Sequence, residues 1–476
     1  MAVKVRTAAD VVRNAVALMF STVASAAFGM LFWVAGARLY DVEDLGRASA
    51  AVSAITLLGG LAQLSLNSVF IRFLPTAGEA TGRFIGLSYG ASGSTAVILA
   101  VGFFVFGLGE DFLPPGPVAL GAFCIAVVCS TFSGLQDSVL TALRRTTWVP
   151  VENIAIAIGK LALLPVFVGA AIVAPLLIAW GLPIVVAVVV LSAVIFLRLA
   201  PTQARRMRGR QALPNRGELL AFMSAQNLNG ILGNLSMYLP PLLVTMVLGP
   251  GETGLFYVPW LIGTALFALS WNILVSLVVE ASTDPSQIRS QLRHAFRLLV
   301  LVTVGGGAVL VFGAPLILRV LGSQYAEGGA DSLRLIGLGL PFAVISTLFA
   351  ATGFMAKKTW PIFFSQLAST VIFLGGAYFA LHWFGIVGAA GAFLASEIVV
   401  GLALAPVTVR RLRELVRSSE EKLAEEVAAG EKVLARGVAP VPARGVVTVP
   451  RLSPGYDTGP MQVLFLPAAV VDWERL

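Results

Sequence analysis

Charge is scarce in this chain. Only 12% of its 476 residues are Asp, Glu, Lys or Arg, about half the share found in a soluble domain. That shortfall excludes an ordinary water-soluble enzyme, and so much apolar residue excludes a disordered chain. Cysteine is scarcer still. Cys124 and Cys129 are the whole supply, and on a helix they point to different faces, so no disulfide framework is expected. Histidine is limited to His294 and His382. No cluster has metal-ligand spacing, and neither a metal nor another cofactor is expected. No acid/base pair, activated nucleophile or phosphate-cradling loop is present either, so a bond-making enzyme is not expected.

What is present is hydrophobic. Apolar residues make up 57% of the chain, and the mean hydropathy is +0.88. The apolar runs last about 20 residues or more, enough for a helix to cross roughly 30 Å of hydrocarbon. An outer-membrane barrel would instead alternate in segments of about 10 residues. Twelve runs can be marked, at 14–37, 48–71, 84–108, 117–142, 151–172, 174–197, 219–247, 254–279, 296–318, 333–355, 361–381 and 385–407. The first is too long for the core of a signal peptide and reads as a retained anchor. The pattern predicts an all-α polytopic membrane protein with twelve transmembrane helices.

Lys and Arg near span ends set orientation. With the N-terminus inside, the inner links hold Lys4, Arg6 and Arg13, then Arg72, Arg83, Arg144, Arg145, the run from Arg198 to Arg216, Arg289, Arg293, Arg297, Lys357, Lys358 and Arg410 to Arg413. The outer links hold only Arg38, Arg47, Arg319 and Arg334. The acids Asp41, Glu43, Asp44, Glu110, Asp111, Glu252, Glu327 and Asp331 all fall outside. Both termini are therefore expected in the cytoplasm, and the chain in the cell membrane. The net charge of +8 is largely a topology signal, and no nucleic-acid partner is expected.

The longest basic link divides the spans six and six. It suggests an N-lobe (1–197), a linker (198–217), a C-lobe (218–407) and a cytoplasmic tail (408–476). Two links repeat. Glu43-Asp44-Leu45-Gly46 corresponds to Gly251-Glu252-Thr253-Gly254, an offset of 208 if Gly46 is aligned with Gly254. Arg145 to Pro150 corresponds to Lys358-Thr359-Trp360-Pro361, an offset of 213. Because six is even, the repeats are parallel. Transporters built this way place substrate between the halves and rock one against the other.

Three stretches carry a family likeness. They are Ala37-Arg38-Leu39-Tyr40 with Asp44-Leu45-Gly46-Arg47, then Ser68 to Pro75, and then Gly249 to Tyr257. With the twelve-span count, the sequence resembles the oligosaccharide flippases of polysaccharide biosynthesis. These belong to the multidrug/oligosaccharidyl-lipid/polysaccharide exporter superfamily, together with the multidrug extruders and the lipid II flippases. The resemblance implies two pseudo-symmetric six-helix lobes of the MATE-like fold. It also implies a substrate, an undecaprenyl pyrophosphate-linked oligosaccharide moved from inner to outer leaflet, with helices 1, 2, 7 and 8 lining the path. The family's acid near the middle of helix 7 has no counterpart at Met237 and Tyr238.

Ionisable groups inside a span are expensive, and each is a functional candidate. Lys160 is the deepest cation, suited to a pyrophosphate or to pairing with an acid such as Asp137. Arg72 and Arg13, with Asn14, sit at the inner mouth, where arginine matches phosphate oxygens bidentately, although topology anchoring explains most such arginines. Gln63 and Asn67 in helix 2, Asn227 and Asn234 in helix 7, and Asn272 in helix 8 suit sugar hydroxyls or bonds between helices. Glu397 and Asp137 are candidates for ion coupling. Glu152 reads as a cap or a snorkelling group near the inner surface. Pro165, Pro183 and Pro240-Pro241 are expected to bend their helices.

In the tail, residues 408–436 read as a charged helix and 437–460 as disordered. Val463 to Pro467 is a short apolar motif suited to docking a partner, such as a polysaccharide-assembly protein. The expected partners are thus a lipid-linked glycan, membrane lipids and, through the tail, an assembly protein. A drug or cation antiporter and a lipid II flippase of the same fold are the alternatives. A polymerase or ligase would show a large outer loop, which is absent.

Overall fold

The computed structural model describes residues 27–168, 174–207, 216–283, 288–356 and 359–435. Arg13, Asn14 and the tail beyond residue 435 lie outside the described residues. Among the described residues every regular element is a helix. In chain order these are α1 (Ala27–Leu39), α2 (Val42–Ala62), α3 (Leu66–Phe73), α4 (Thr81–Val105), α5 (Pro117–Ala142), α6 (Trp148–Val166) and α7 (Pro175–Val194). There follow α8 (Ala200–Arg206), α9 (Arg216–Leu248), α10 (Pro250–Thr283), α11 (Ile288–Val300), α12 (Gly306–Arg319), α13 (Ser323–Met355) and α14 (Thr359–Ala435). One π turn joins α7 to α8 and another joins α11 to α12.

Ten helical stretches are long and apolar enough to cross a membrane. Gly385 divides the longest of these, α14, into two apolar helices, and α1 is a shorter apolar helix whose run begins outside the described residues. At Gly385 φ is 57°, a left-handed conformation that glycine adopts freely. The helix α9 continues through Pro240 and Pro241, and Pro165 and Pro183 likewise lie inside α6 and α7. Charged residues of the described links separate the bundle into two ends. The acidic end carries Asp41, Glu43, Asp44, Glu110, Glu252 and Glu327, and the basic end carries Arg72, Arg83, Arg144, Arg198, Arg293 and Arg410.

One break is unexpected. The second apolar run is interrupted between α2 and α3, where Leu64 and Ser65 have φ of 52° and 57°. Left-handed backbone costs a non-glycine residue about 1–2 kcal/mol. Packing holds it there, since Leu66, Val69, Phe70 and Phe73 just beyond the break are buried against α4, α5 and α7.

The six-helix lobes meet mainly along α2, which packs on both α9 and α10. The repeat glycines make this possible. A Cβ on Gly46 would run into the backbone carbonyl of Pro250, and one on Gly254 into that of Val42. The two pseudo-equivalent positions therefore face each other, backbone against backbone, at the acidic end. Arg38 adds a tie from α1, donating through Nε to Val320 O at 2.7 Å and through Nη2 to the same carbonyl. Trp33 meets Tyr257 edge-on, with ring centroids 4.6 Å apart. One hydrophobic cluster spans both lobes here, including Phe32, Leu45, Val52, Tyr257, Ile262 and Leu333.

Toward the basic end the hydrophobic clusters of described residues are each confined to one lobe: Val69, Ile85, Leu140 and Ile195 in the first, and Leu274, Ala351, Leu299 and Leu348 in the second. Along α10, Phe256, Tyr257, Val258 and Trp260 are buried, and farther on Ser270, Leu274 and Leu277 are buried while Phe267, Leu269 and Asn272 are exposed.

Candidate functional site

Two of the amides singled out from sequence meet at the break in the second span. Gln63 is the last residue before it and Asn67 lies in the first turn after it. Asn67 Nδ2 donates to Gln63 Oε1 at 2.7 Å, while Asn67 Oδ1 is buried without a hydrogen-bond partner. Small residues admit these side chains. Gly134 of α5 lies directly against the Gln63 amide, and Gly60 of α2 lies against the Asn234 amide of α9. Asn234 Nδ2 also donates to Gly230 O at 2.9 Å. Asn234 thus sits where α2 meets α9, at the seam between lobes, while Gln63 lies against α5 within the first lobe. Broken helices in membrane proteins expose polar backbone only where other protein or a cavity receives it.

The remaining candidates are dispersed. Arg72, in the last turn of α3, is exposed with its guanidinium 5.2 Å from the Phe73 ring centroid. Asn272 is exposed on the basic half of α10. The side chain of Asn227 lies outside the described residues, as do Arg13 and Asn14. Lys160 does not pair with Asp137. Its Nζ lies 4.4 Å from the centroid of the Trp180 ring on α7, and it forms no ion pair among the described residues. A desolvated cation over tryptophan gains up to about 2 kcal/mol.

The two ion-coupling candidates occupy different lobes. Glu397 is buried at 8% exposure. It lies one turn before Gly401 on the same face, and Gly401 packs against Phe342 of α13. Asp137 lies on α5 of the first lobe. Glu152 departs from expectation. Neither capping nor snorkelling, it has both carboxylate oxygens buried without a hydrogen-bond partner. Sequence reasoning also passed over Tyr89 on α4 and Gln136 on α5, which are buried at 6% and 0% exposure. The available signal was polar side chains in runs otherwise filled by aliphatic ones.

Two cavities are apolar. One, of about 610 Å³, lies between α4 and α5 and is lined by Gly90, Gly93, Val97, Ile98 and Phe132. The other, of about 260 Å³, opens at the lobe seam between α1, α10 and α12, against Met30, Trp33, Val258, Ile262 and Leu321. Neither collects the amides or the cations.

No protein-family model matches the chain, and none of the curated proteins matches it in sequence. Solved structures do match it. The inward-facing conformation of a multidrug resistance MATE family transporter of the MOP superfamily is 15% identical, with 83% of this chain and 96% of that chain covered and a TM-score of 0.60. The lipid II flippase MurJ in an inward closed conformation is 13% identical, with 87% and 93% covered and a TM-score of 0.62. A MOP superfamily transporter from Pyrococcus furiosus, described as having a binding pocket of reversed polarity, is 14% identical, with 83% and 93% covered and a TM-score of 0.51. At such identities the likeness is one of architecture, and this chain therefore has the two-lobed, twelve-helix fold of the MOP superfamily transporters.

Proposed function

We propose that this protein is a flippase for a lipid-linked oligosaccharide. In this reading it moves an undecaprenyl pyrophosphate-linked glycan from the inner to the outer leaflet of the cell membrane by alternating access, for cell-surface polysaccharide. The acidic end faces outward and both termini lie in the cytoplasm. The observation that carries the reading is the contrast between the two ends of the lobe seam. At the acidic end the lobes touch backbone to backbone through Gly46 and Gly254. Toward the basic end the hydrophobic clusters of described residues belong to one lobe each, and Asn272 of α10 is exposed. Such a contrast suits a carrier that opens toward the basic side.

The chemistry of a glycan lipid fits the polar groups along this seam. Gln63, Asn67 and Asn234 offer amides to sugar hydroxyls, and Arg72 and Asn272 stand toward the basic mouth, where a pyrophosphate would enter. Lys160 supplies a cation deeper in the first lobe. The apolar opening beside Met30, Trp33 and Ile262 suits an isoprenoid chain that stays in lipid. Asp137 and Glu397 serve ion coupling, and the helical tail offers a site for assembly proteins.

The decisive measurement is the sidedness of lipid-linked glycan in cells lacking the protein. Accumulation on the inner leaflet is expected. Intact glycan display with heightened dye sensitivity would support a drug antiporter instead. Accumulation of lipid II with loss of wall synthesis would support a lipid II flippase, a reading that the MurJ fold keeps in view.

A further inference from the structure

We propose that residues 461–471 of this chain fold back and dock along an apolar stripe on the extension of α14 past its last span. The inference goes beyond the transport reading and holds whatever the cargo.

The helix α14 continues past the bundle to Ala435. Its extension carries Leu412, Val416, Leu423, Val427 and Leu434. Leu412, Leu423 and Leu434 recur every 11 residues, as do Val416 and Val427. Eleven residues make about three helical turns, so at 100° per residue these five positions fall within an arc of roughly 60°. Ser419 and Gly430, again 11 apart, lie on the same line and leave room for a close approach. The opposite face is charged. There Arg410 pairs with Glu414 at 3.6 Å and Arg417 with Glu421 at 2.8 Å, and all four are exposed. A helix with one apolar stripe and one ion-paired face is suited to being covered on the stripe. Alone in water a helix of this length is marginal.

The root of the stripe says what can cover it. Leu412 packs on Leu299, Val344 and Leu348 of its own lobe, so the stripe starts on the side turned to that lobe. The matching helix of a second copy would have to lie about 8–10 Å away on that side, in space the lobe already fills. A segment returning from the far end of the helix meets no such obstacle, and the chain supplies one. Val463 follows Ala435 by 28 positions. Pro440 and Pro442 keep the helix from continuing into the connection. A random-coil connection of that length spans about 30 Å, more than the roughly 17 Å from Leu434 back to Leu423. Val463 to Pro467 is apolar throughout and covers about the same 17 Å when extended. Tethering holds such a segment near the stripe at an effective concentration on the order of millimolar. Charge agrees with the return. Residues 420–432 hold five glutamates against two lysines, whereas the connection holds Arg436, Arg444 and Arg451 against Asp457.

The test measures a distance in the purified full-length protein in detergent. Nitroxide labels are placed at Ala424→Cys and Ala469→Cys after Cys124 and Cys129 are replaced by alanine. Docking predicts one narrow distance of roughly 20 Å or less, about the length of the stripe. An undocked tail predicts a broad distribution centred near about 35 Å. Phe465→Asp, which sets a charge against the stripe, should convert the first result into the second. This substitution lies outside the bundle and leaves its folding unaffected. Leu423→Asp combined with Val427→Asp should act in the same way from the other side. A broad distribution in the otherwise unsubstituted protein overturns the inference, whether the stripe is bare or reserved for another protein. A narrow distance that fades on mixing with excess unlabelled protein assigns the stripe to a second copy and overturns it too, as does a narrow distance that Phe465→Asp does not move.

Discussion

At the scale of the residue, the chain keeps a few polar groups at positions where hydrocarbon makes them costly. Lys160 is the clearest. Over Trp180 and without an acid among the described residues, it is a cation whose charge closes no salt bridge there. Lys160→Ala should abolish most flipping in a leaflet-sidedness assay while expression stays normal. Full activity in that variant would make the lysine idle. Asn234 makes a second case. It lies against Gly60, so Gly60→Val should displace the amide and lower transport, with expression again as the control. These positions were legible as candidates from sequence, because an ionisable or amide residue in an apolar run stands out. Their contacts were not. Whether Lys160 met Asp137 or Trp180 depends on how α5, α6 and α7 rotate about their axes, and apolar runs with little periodicity leave that rotation open. Glu152 was misplaced for the same reason. Its nearness to a helix start suggested the surface, whereas the α5–α6 packing encloses it.

At the scale of the element, the break between α2 and α3 is the feature that composition concealed. Leu61-Ala62-Gln63-Leu64-Ser65-Leu66 contains neither glycine nor proline, so local signals predict a continuous helix. Tertiary packing overrides them, at a cost carried by Leu64 and Ser65. Ser65→Gly should therefore be tolerated in thermal unfolding. Ser65→Val, branched at Cβ and left-handed, should be less stable than Ser65→Gly by about 1–2 kcal/mol. Equal melting of the two variants would mean that the helix is unbroken. Gly385 is the legible counterpart. A glycine between two apolar runs marked the boundary of the last two spans, and its positive φ accounts for the choice of residue. The span ends were equally readable, since charge alternation and run length depend on composition alone.

At the scale of the molecule, the lobes are two copies of one plan pressed together at equivalent points. The repeat alignment matched Gly46 with Gly254 but gave no hint that they would touch. Contact across a pseudo-symmetry axis is a property of assembly rather than of either copy. Gly46→Val or Gly254→Val should wedge the acidic end apart. Spin labels introduced at Glu43 and Glu252, after replacement of Cys124 and Cys129, should then report a longer distance than in the unsubstituted protein. An unchanged distance would show that the seam has slack. Arg38→Ala, which removes the tie to Val320, should lengthen it less.

The final helix has a mechanical consequence. Its last span does not end at the lobe but continues as helix to Ala435. The extension past residue 407 is on the order of 40 Å at 1.5 Å per residue. A stiff rod fixed to one lobe magnifies rotation, so a tilt of about 10° would sweep its far tip through roughly 7 Å. Any soluble factor gripping that tip would feel the stroke of the carrier from outside the bilayer, and by holding it still would stall the cycle without approaching the cargo.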